Sequence, residues 1–371
     1  MKRIVCVLAL AAFAFAQEAP KFELPPIGVK LYGFIKVDMS YDINAGATVN
    51  DDLYFYVPRV NVNREFRIAA KQSRLGLDVS NGTFIGAKIE ADFSATPTSE
   101  LTYAFLRLRH AYATVAITDW LTLLAGQTWY LLPMPMPATI NDAAFGYQGC
   151  LWGRAPQLRL TVAPANFLKL NLAITRPSRK MIDAEATAAG LPGAQANIWF
   201  GKLLDVKDVF AFDMTVSGGY EQWITNIGGT SQTYFFDVGG SIKLVNMFTI
   251  FGQFWFGQNL YDFLGGIGQM GYGATGEVMA MGGFVDLKID PIKELSFNLA
   301  AGIDDPLDER IVPSASAKLM NVTFMVNGTV RIFEKFSITL ECDYVRTTYG
   351  LPTGAEVRDN FHVMNSYRYD F

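Results

Sequence analysis

The stretch NFHVMNSYRYDF, residues 360–371, decides the fold class of this chain. Five of the six positions on one alternating face are apolar or aromatic, and that face comprises Phe361, Val363, Asn365, Tyr367, Tyr369 and Phe371. The positions between them are mostly polar. Because successive side chains of a β-strand point to opposite sides, the stretch predicts a strand with one apolar and one polar face. Soluble domains usually end in frayed, polar residues, so the aromatic terminus indicates another environment.

Period-two alternation recurs along the chain. Further alternating segments are 29–41, 85–94, 167–175, 234–244, 295–303 and 336–345. Each is close to the roughly 9–11 residues that a tilted strand needs to cross a bilayer. Charged residues make up only 18% of the chain and hydrophobic residues 50%, whereas soluble domains are about 25% charged. Beyond the first residues, no apolar run reaches the roughly 18 residues of a membrane-spanning helix. The chain is therefore predicted to cross a membrane with strands.

The connections between these segments alternate between short and long. The short ones are 81–82, 118–119, 164–166, 205–208, 246–247, 290–293 and 334–335. The long ones are 43–64, 95–102, 133–155, 176–196, 225–231, 259–273, 304–313 and 350–357. This rhythm predicts an all-β fold, a single transmembrane antiparallel barrel of about 16 strands over residues 29–371. Short periplasmic turns and long extracellular loops are typical of such barrels.

Closure of the barrel explains the aromatic terminus. Unpaired backbone groups in hydrocarbon cost several kcal/mol each, so a membrane sheet must close on itself. The last strand then pairs with the first, and Tyr367, Tyr369 and Phe371 join the aromatic girdle at the membrane interface. The alternative is a soluble β-sandwich or lipocalin-like barrel, which would have to bury all of these rings in one core.

The N-terminus carries the pattern of a secretory signal peptide over residues 1–16. Lys2 and Arg3 precede an apolar run that ends at Ala14-Phe15-Ala16. Residues 17–28 form a short segment ahead of the barrel, and we expect the protein in the outer membrane of a Gram-negative-type bacterium. The remaining cysteines, Cys150 and Cys342, are not expected to form a disulfide. A net charge of -4 without a basic cluster argues against nucleic acid as a partner.

Arginines dominate the predicted inner face. A barrel of about 16 strands is wide enough for an aqueous channel, and inward positions lie in the stretches AKQSRLGLDVS (70–80), FLRLRHAYATV (105–115) and QLRLTV (157–162). The candidate pore-lining and anion-binding residues are Arg74, Arg107, Arg109, Arg159, Lys88, Glu90 and Asp92. Opposed charges across a narrow lumen attract and orient charged solutes. The alternative is that these charges only form salt bridges that keep the wall rigid.

The stretch 133–155 is long for a connection without a regular element, and such loops are usually functional or disordered. Its aromatic residues argue against disorder. We expect it to fold into the lumen as a constriction loop that includes Asp142, Trp152 and Arg154, with Asp142 and Arg154 near the narrowest point. The alternatives are a loop packed over the rim and a loop used in subunit contact.

Enzymatic chemistry has little support in the sequence. His110 and His362 are the two histidines, so a His-rich metal site is excluded and a Ser-His-Asp arrangement has few candidates. His110 continues the phase of Leu106 and Leu108, which predicts a position near the outer or rim surface. The glycine-rich stretch 265–273 lacks the strand-to-helix context of a phosphate loop. We predict no catalytic residues, metal or cofactor.

Three motifs carry a resemblance to a known family: KQSRLGL at 71–77, LRLRHAY at 106–112 and AGQTW at 125–129. They follow GFIKVDMSYD at 33–42 in this order. Together these stretches resemble the DcaP-like family of trimeric outer-membrane porins. The resemblance implies a 16-stranded barrel, a homotrimer, an inward-folded third loop and a preference for small anions such as dicarboxylates. It makes Arg74, Arg107 and Arg109 the candidate anion-binding residues.

The chain ends differ in how well they fit the family. The final strand, with Tyr367, Tyr369 and Phe371, resembles the signature that the outer-membrane assembly machinery reads. Many family members carry an N-terminal helical extension, but prolines in residues 17–26 argue against a helix there. Trimerisation is then expected to rest on the barrel wall.

The sequence therefore favours a porin for passive diffusion of small anionic or polar solutes, surrounded by outer-membrane lipid and lipopolysaccharide. The alternative from another class is a structural or adhesive barrel with a closed lumen. A membrane-embedded hydrolase dependent on His110 is a third hypothesis.

Overall fold

The computed structural model describes residues 26–46, 54–60, 62–95, 105–134, 136–176, 191–224, 230–271, 276–307 and 311–371. The predicted signal peptide, 1–16, and most of the segment 17–28 lie outside these residues. None of the helices in the described part of the chain is long and apolar enough to cross a membrane. The described residues form one antiparallel sheet of sixteen strands that closes into a barrel.

The first eight strands are β1 (Gly28–Gly46), β2 (in two segments, Val62–Ala69 and Arg74–Ser80), β3 (Ile85–Ala95), β4 (Phe105–Thr118), β5 (Leu121–Trp129), β6 (Arg154–Ala165), β7 (Leu168–Thr175) and β8 (Gly193–Gly201). The other eight are β9 (Phe210–Ile224), β10 (Thr230–Leu244), β11 (Phe248–Gln258), β12 (Met279–Ile292), β13 (Leu295–Pro306), β14 (Lys318–Ile332), β15 (Phe336–Leu351) and β16 (Gly354–Asp370). Two short 3-10 turns, Leu260–Phe263 and Gly266–Gly268, lie between β11 and β12.

The barrel closes between its first and last strands, as predicted. β1 and β16 pair with Phe34 opposite Asp370 and Asp42 opposite His362. The backbone N–H of Phe371 donates to the carbonyl of Gly33 at 3.1 Å. Closure satisfies the backbone groups of both strands, which is the condition for a sheet in hydrocarbon.

β2 is one strand of the barrel with an interruption at residues 70–73. Both of its segments pair with β1, first with Asp38 opposite Ala69 and then with Phe34 opposite Arg74. The Ser73 hydroxyl accepts from the backbone N–H of Lys36 at 3.0 Å and donates to its carbonyl at 3.2 Å. A side chain thus replaces ladder bonds that the interruption removes.

The two faces of the wall follow the predicted alternation. Large apolar side chains are exposed on the outer face, such as Ile35, Leu106, Phe254, Phe324 and Phe361. Polar side chains line the interior, such as Asp38, Ser217, Asp286, Asn321 and Thr347. An apolar exterior around a polar interior is the arrangement of a transmembrane barrel.

A β-bulge in β4 overturns the prediction for His110. Glu90 on β3 lies opposite His110, whereas the next residue, Ala91, lies opposite Leu108, so Arg109 is the extra residue. The bulge turns both Arg109 and His110 inward, since one extra residue reverses the phase of everything after it. His110 is buried, and its Nδ1 lies 3.0 Å from Thr128 Oγ1. The prediction of an outer or rim position was wrong.

Six of the seven predicted short turns are confirmed, and the seventh, at 205–208, lies in the eight-residue connection between β8 and β9. The predicted long connection at 350–357 is wrong. β15 continues to Leu351 and β16 begins at Gly354, so only two residues join them. The register pairs Phe336 with Tyr369 and Leu351 with Gly354. This continuous pairing makes the last two strands a long hairpin. The predicted loops 95–102, 176–196 and 225–231 lie largely outside the described residues.

Among the described residues, three extracellular connections fold into the barrel: the first loop (described at 54–60), the third loop (130–153, except 135) and the sixth loop (259–278, except 272–275). Tyr130 and Leu151 of the third loop pack with Phe263 of the sixth and with Trp255 on β11. Phe145 and Cys150 pack against inner-wall residues of β11 to β14. The apolar core of the protein therefore lies inside the extracellular half of the lumen.

Candidate functional site

The third loop crosses the lumen and is bonded to the wall at Ala138 and Ile140. The Ala138 N–H donates to Asp286 Oδ2 on β12 at 2.8 Å, and the Ile140 N–H donates to Glu341 Oε2 on β15 at 2.9 Å. The Ile140 carbonyl accepts from Lys36 Nζ on β1 at 2.8 Å. The inner wall therefore bonds the backbone N–H groups of Ala138 and Ile140 and the carbonyl of Ile140.

Close backbone contact fixes the next part of the third loop. A Cβ atom on Gly302 of β13 would lie 2.1 Å from the carbonyl oxygen of Gln148, which is closer than any side chain allows. Gly149 has a φ of 116°, and its carbonyl accepts from the Trp255 indole at 2.8 Å. The loop can lie this near the wall because glycines face each other there.

Three non-glycine residues of this loop have left-handed backbone. Ala144, Phe145 and Tyr147 have φ of 44°, 59° and 58°. Such residues cost about 1–3 kcal/mol each and cluster at functional sites. The rings of Phe145 and Tyr147 are buried among neighbouring side chains, and this packing offsets the strain.

Two of the predicted arginines are bound to the two predicted carboxylates. Arg107 holds Asp92 with both Nε and Nη2, at 2.9 and 2.6 Å. Arg109 donates to Glu90 Oε1 at 2.7 Å and to Asp92 Oδ2 at 2.9 Å. Arg107 Nη2 also bonds Asp142 Oδ2 of the third loop at 2.9 Å. Paired and charge-assisted bonds of this kind are the strong ones, so the wall and the loop are joined by one charge network.

Arg74 and Arg154 lie beside this network with donors left over. Arg74 Nε is 3.5 Å from Glu90 Oε1 but makes no hydrogen bond. Arg154 stacks on Trp129, with its Cζ 4.4 Å from the ring centroid, and lies 5.7 Å from that of Trp152. Its Nη1 has no hydrogen-bond partner, and it forms no ion pair with a carboxylate of the described residues. Cation–π stacking stabilises the guanidinium without neutralising it.

Arg159 and Lys88 do not join the network. Arg159 donates to the Trp129 carbonyl at 2.5 Å and to Gln157 Oε1 at 3.0 Å. Lys88 pairs with Asp78 at 3.1 Å, closer to the periplasmic turn. Of the residues predicted from sequence, these two are therefore separate from the cluster at the third loop.

A cavity of about 560 Å³ opens between the charge network and the opposite wall. Its basic lining residues are Lys36, Arg74, Arg109, Arg154, Arg331 and Arg368. Its acidic lining residues are Asp142 and Asp370. An excess of cations in a confined lumen produces a positive potential that favours anions.

Several lining residues were not among the sequence candidates. Lys36, Arg331 and Arg368 all occupy inward positions of alternating strands, so the pattern that selected Arg74 contained a signal for them too. Trp129 ends β5 in the motif AGQTW, but no function was predicted for it from the sequence.

The first loop was also missed. The Tyr54 N–H donates to Asn141 Oδ1 at 3.1 Å, and Asn141 Nδ2 donates back to the Tyr54 carbonyl at 2.9 Å. The Tyr54 ring stacks on His362, with centroids 4.9 Å apart. The available signal was a run of rings, Tyr54-Phe55-Tyr56, inside a loop.

Solved structures share this fold. The outer membrane channel DcaP of Acinetobacter baumannii is 19% identical, with a TM-score of 0.76, and the match covers 95% of this chain and 99% of that chain. The anion-selective porin from Comamonas acidovorans is 10% identical, with a TM-score of 0.59 and coverage of 93% and 100%. The trimer form of the outer membrane protein OmpT of Vibrio cholerae is 10% identical, with a TM-score of 0.56 and coverage of 93% and 99%.

No family model matches the chain, and no curated protein matches it. At these identities the similarity concerns the fold. It confirms the 16-stranded barrel that the resemblance to DcaP-like channels implied.

Proposed function

We propose that this protein is an outer-membrane porin through which small hydrophilic solutes diffuse passively, with a preference for small anions. One observation carries the proposal: six basic and two acidic side chains line one cavity inside a barrel whose outer face is apolar. The outer membrane channel of Acinetobacter baumannii and the anion-selective porin of Comamonas acidovorans, which share this fold, support it. The resemblance to DcaP-like porins adds dicarboxylates as the solute class.

Different arginines serve different roles in this proposal. Arg107 and Arg109 hold Asp92 and Glu90 and keep the wall in shape, which is the role that salt bridges have in the alternative interpretation of these charges. Arg74 and Arg154 line the cavity and are the arginines that we assign to contact with the passing anion. Asp142, Trp152 and Arg154 narrow the lumen.

The assembly and location of the porin are part of the same proposal. We infer a signal peptide over residues 1–16, insertion into the outer membrane through the terminal aromatic signature, and contact with lipopolysaccharide at the rim. A homotrimer is supported by the trimer form of the Vibrio cholerae structure. In that assembly, each barrel carries its own pore.

Single-channel recording in a planar bilayer tests the function. Wild type should open in steps of three, and its reversal potential under a KCl gradient should lie toward the chloride potential. Arg74→Ala/Arg154→Ala should move the reversal potential toward zero, since it removes two of the six cations. Lys335→Ala, in a turn outside the cavity, should not. Silence from correctly folded protein would support the closed structural barrel instead.

A further inference from the structure

A row of polar residues crosses the inner wall near the periplasmic end of the barrel. Arg331 on β14 is opposite Ser337 on β15, Ser337 is opposite Arg368 on β16, and Arg368 is opposite Lys36 on β1. Adjacent strands are about 4.8 Å apart, so two strand spacings separate Arg331 from Arg368 by roughly 10 Å at the backbone. Two long guanidinium side chains at that distance can reach one small ligand between them.

A second row, two residues nearer the third loop, supplies hydroxyl groups. Thr329 is opposite Thr339, and Thr339 is opposite Ser366. The Thr329 and Thr339 hydroxyls lie 2.9 Å apart. The Ser366 side chain is only 2% exposed, and its Oγ has no hydrogen-bond partner. All three line the 560 Å³ cavity together with Arg331, Ser337 and Arg368.

The charges along the first row do not cancel. Lys36 pairs with Asp38 at 3.0 Å, and Arg368 pairs with Asp370 at 2.6 Å. Arg331 donates to the Lys293 carbonyl at 3.0 Å and forms no ion pair with a carboxylate in the described part of the chain. The positive charge of Arg331 is therefore not paired with a carboxylate of the described residues.

Stacking fixes the other arginine of the pair. The Cζ atom of Arg368 lies 3.8 Å from the centroid of the Phe34 ring, and that of Arg74 lies 5.0 Å from it. A guanidinium held on a ring face loses little further freedom when it binds an anion. Phe34 also separates the row from the arginines at the third loop.

We propose that Arg331, Ser337 and Arg368 form a second oxyanion site at the periplasmic mouth of the barrel. Its ligand is a carboxylate or phosphate group, because guanidinium and hydroxyl donors match the oxygens of either. The site rests on the proposed function only in that its ligands are the anions that the pore admits. Binding from the periplasmic side does not require an open constriction.

The test is block of the chloride current by inorganic phosphate, added to each side of the bilayer in turn. Wild type should be blocked more strongly from one side. Arg331→Ala should raise the half-blocking phosphate concentration from that side about tenfold, which corresponds to about 1.4 kcal/mol. Ser337→Ala should raise it less, and Lys335→Ala, in the adjoining turn, should leave it unchanged. Acetate in place of phosphate distinguishes the ligands: equal block assigns the site to carboxylates, and weaker block assigns it to doubly charged oxyanions.

The site would be overturned if Arg331→Ala had the same half-blocking phosphate concentration as wild type. It would also be overturned if Lys335→Ala raised that concentration as much as Arg331→Ala does. Either result would leave the proposed porin function intact. If the protein gives no current, the proposed function fails, and calorimetric titration of phosphate into the detergent-solubilised protein still tests the site. The same variants then decide it: a heat of binding that Arg331→Ala does not weaken would overturn the proposal.

Discussion

Asp142 brings a negative charge of the third loop into contact with the wall, where it shares Arg107 with Asp92. Arg107 is consequently held by two carboxylates. Since Asp370 is the one other acidic lining residue among the residues that the structure describes, Asp142 has a large share in the local field.

Asp142→Asn should make the pore more selective for anions. The change removes one negative charge from the lining of the cavity and frees a donor of Arg107, so the reversal potential under a KCl gradient should shift further toward the chloride potential. Asp359→Asn is the matched control, because Asp359 pairs with Arg346 on the outer face. An unchanged reversal potential in Asp142→Asn would show that the loop carboxylate does not face permeating ions.

Cys150 reports on whether the third loop stays in the lumen. Its side chain is buried against the inner wall, and burial raises the pKa of the thiol well above its usual range. Reactive cysteines need an accessible thiolate, so Cys150 should resist a soluble maleimide in the folded protein and react after unfolding. Mass spectrometry of the labelled peptide measures this. Rapid labelling of the native protein would mean that the loop leaves the barrel.

Residue-level prediction succeeded where the alternation is regular and failed at the bulge. Arg107 and Arg109 could be assigned to the inner face because Leu106 and Leu108 mark the outer face. His110 could not, since the extra residue is defined by the register of β4 against β3, and one residue of slip exchanges the two faces. The ion pair between Arg107 and Asp142 could not be predicted either, because it depends on the path of the third loop.

At the scale of elements, the third loop is held by close backbone contact with β13. Gly302→Ala should push the loop away from the wall, because the new Cβ would meet the carbonyl of Gln148 at 2.1 Å. Single-channel conductance should rise. Gly328→Ala on β14 is the control, since its Cβ would meet only the Phe297 side chain, at 3.3 Å. Equal conductance in both variants would show that the loop does not limit the current.

The bulge in β4 requires a partner for the carbonyls it frees. Gln127 Nε2 donates to the Leu108 carbonyl at 2.8 Å on the outer side of the wall. Gln127→Leu should lower the free energy of unfolding by about 1–3 kcal/mol, because it leaves the Leu108 carbonyl without a partner on a surface that faces lipid. Asn365→Leu is the contrast: this amide also lies on the outer face, and its Oδ1 has no partner, so the substitution should be neutral or stabilising. Urea unfolding in lipid vesicles measures both, and equal effects would contradict the assigned role of Gln127.

The loops mark the limit of prediction for elements. The length and aromatic residues of 133–155 indicated an inward fold, and the third loop does enter the lumen. The first and sixth loops do so as well, although their rings, such as Tyr54 and Phe263, were not interpreted. Alternation cannot show this, because loop rings pack on side chains of distant strands. The same limit made the hairpin at Leu351 appear as a long loop.

At the scale of the whole molecule, the strand count and the closure of the barrel were predictable from sequence. Each strand must match the bilayer thickness and keep one apolar face, so the number of alternating segments gives the number of strands. The distribution of charge in the lumen was only partly predictable. It depends on the path of the third loop, whose residues Asp142 and Arg154 line the basic cavity together with residues of the wall.

The measurement that tests the central claim most directly is solute entry into proteoliposomes, followed by swelling. Three solutes of similar size should be compared: a dicarboxylate, a neutral polyol and a diamine. A passive porin with an excess of basic residues in its lumen should admit the dicarboxylate fastest and the diamine slowest. Equal rates for all three, or fastest entry of the diamine, would contradict the anion-favouring pore, and no entry of any solute would contradict the porin itself.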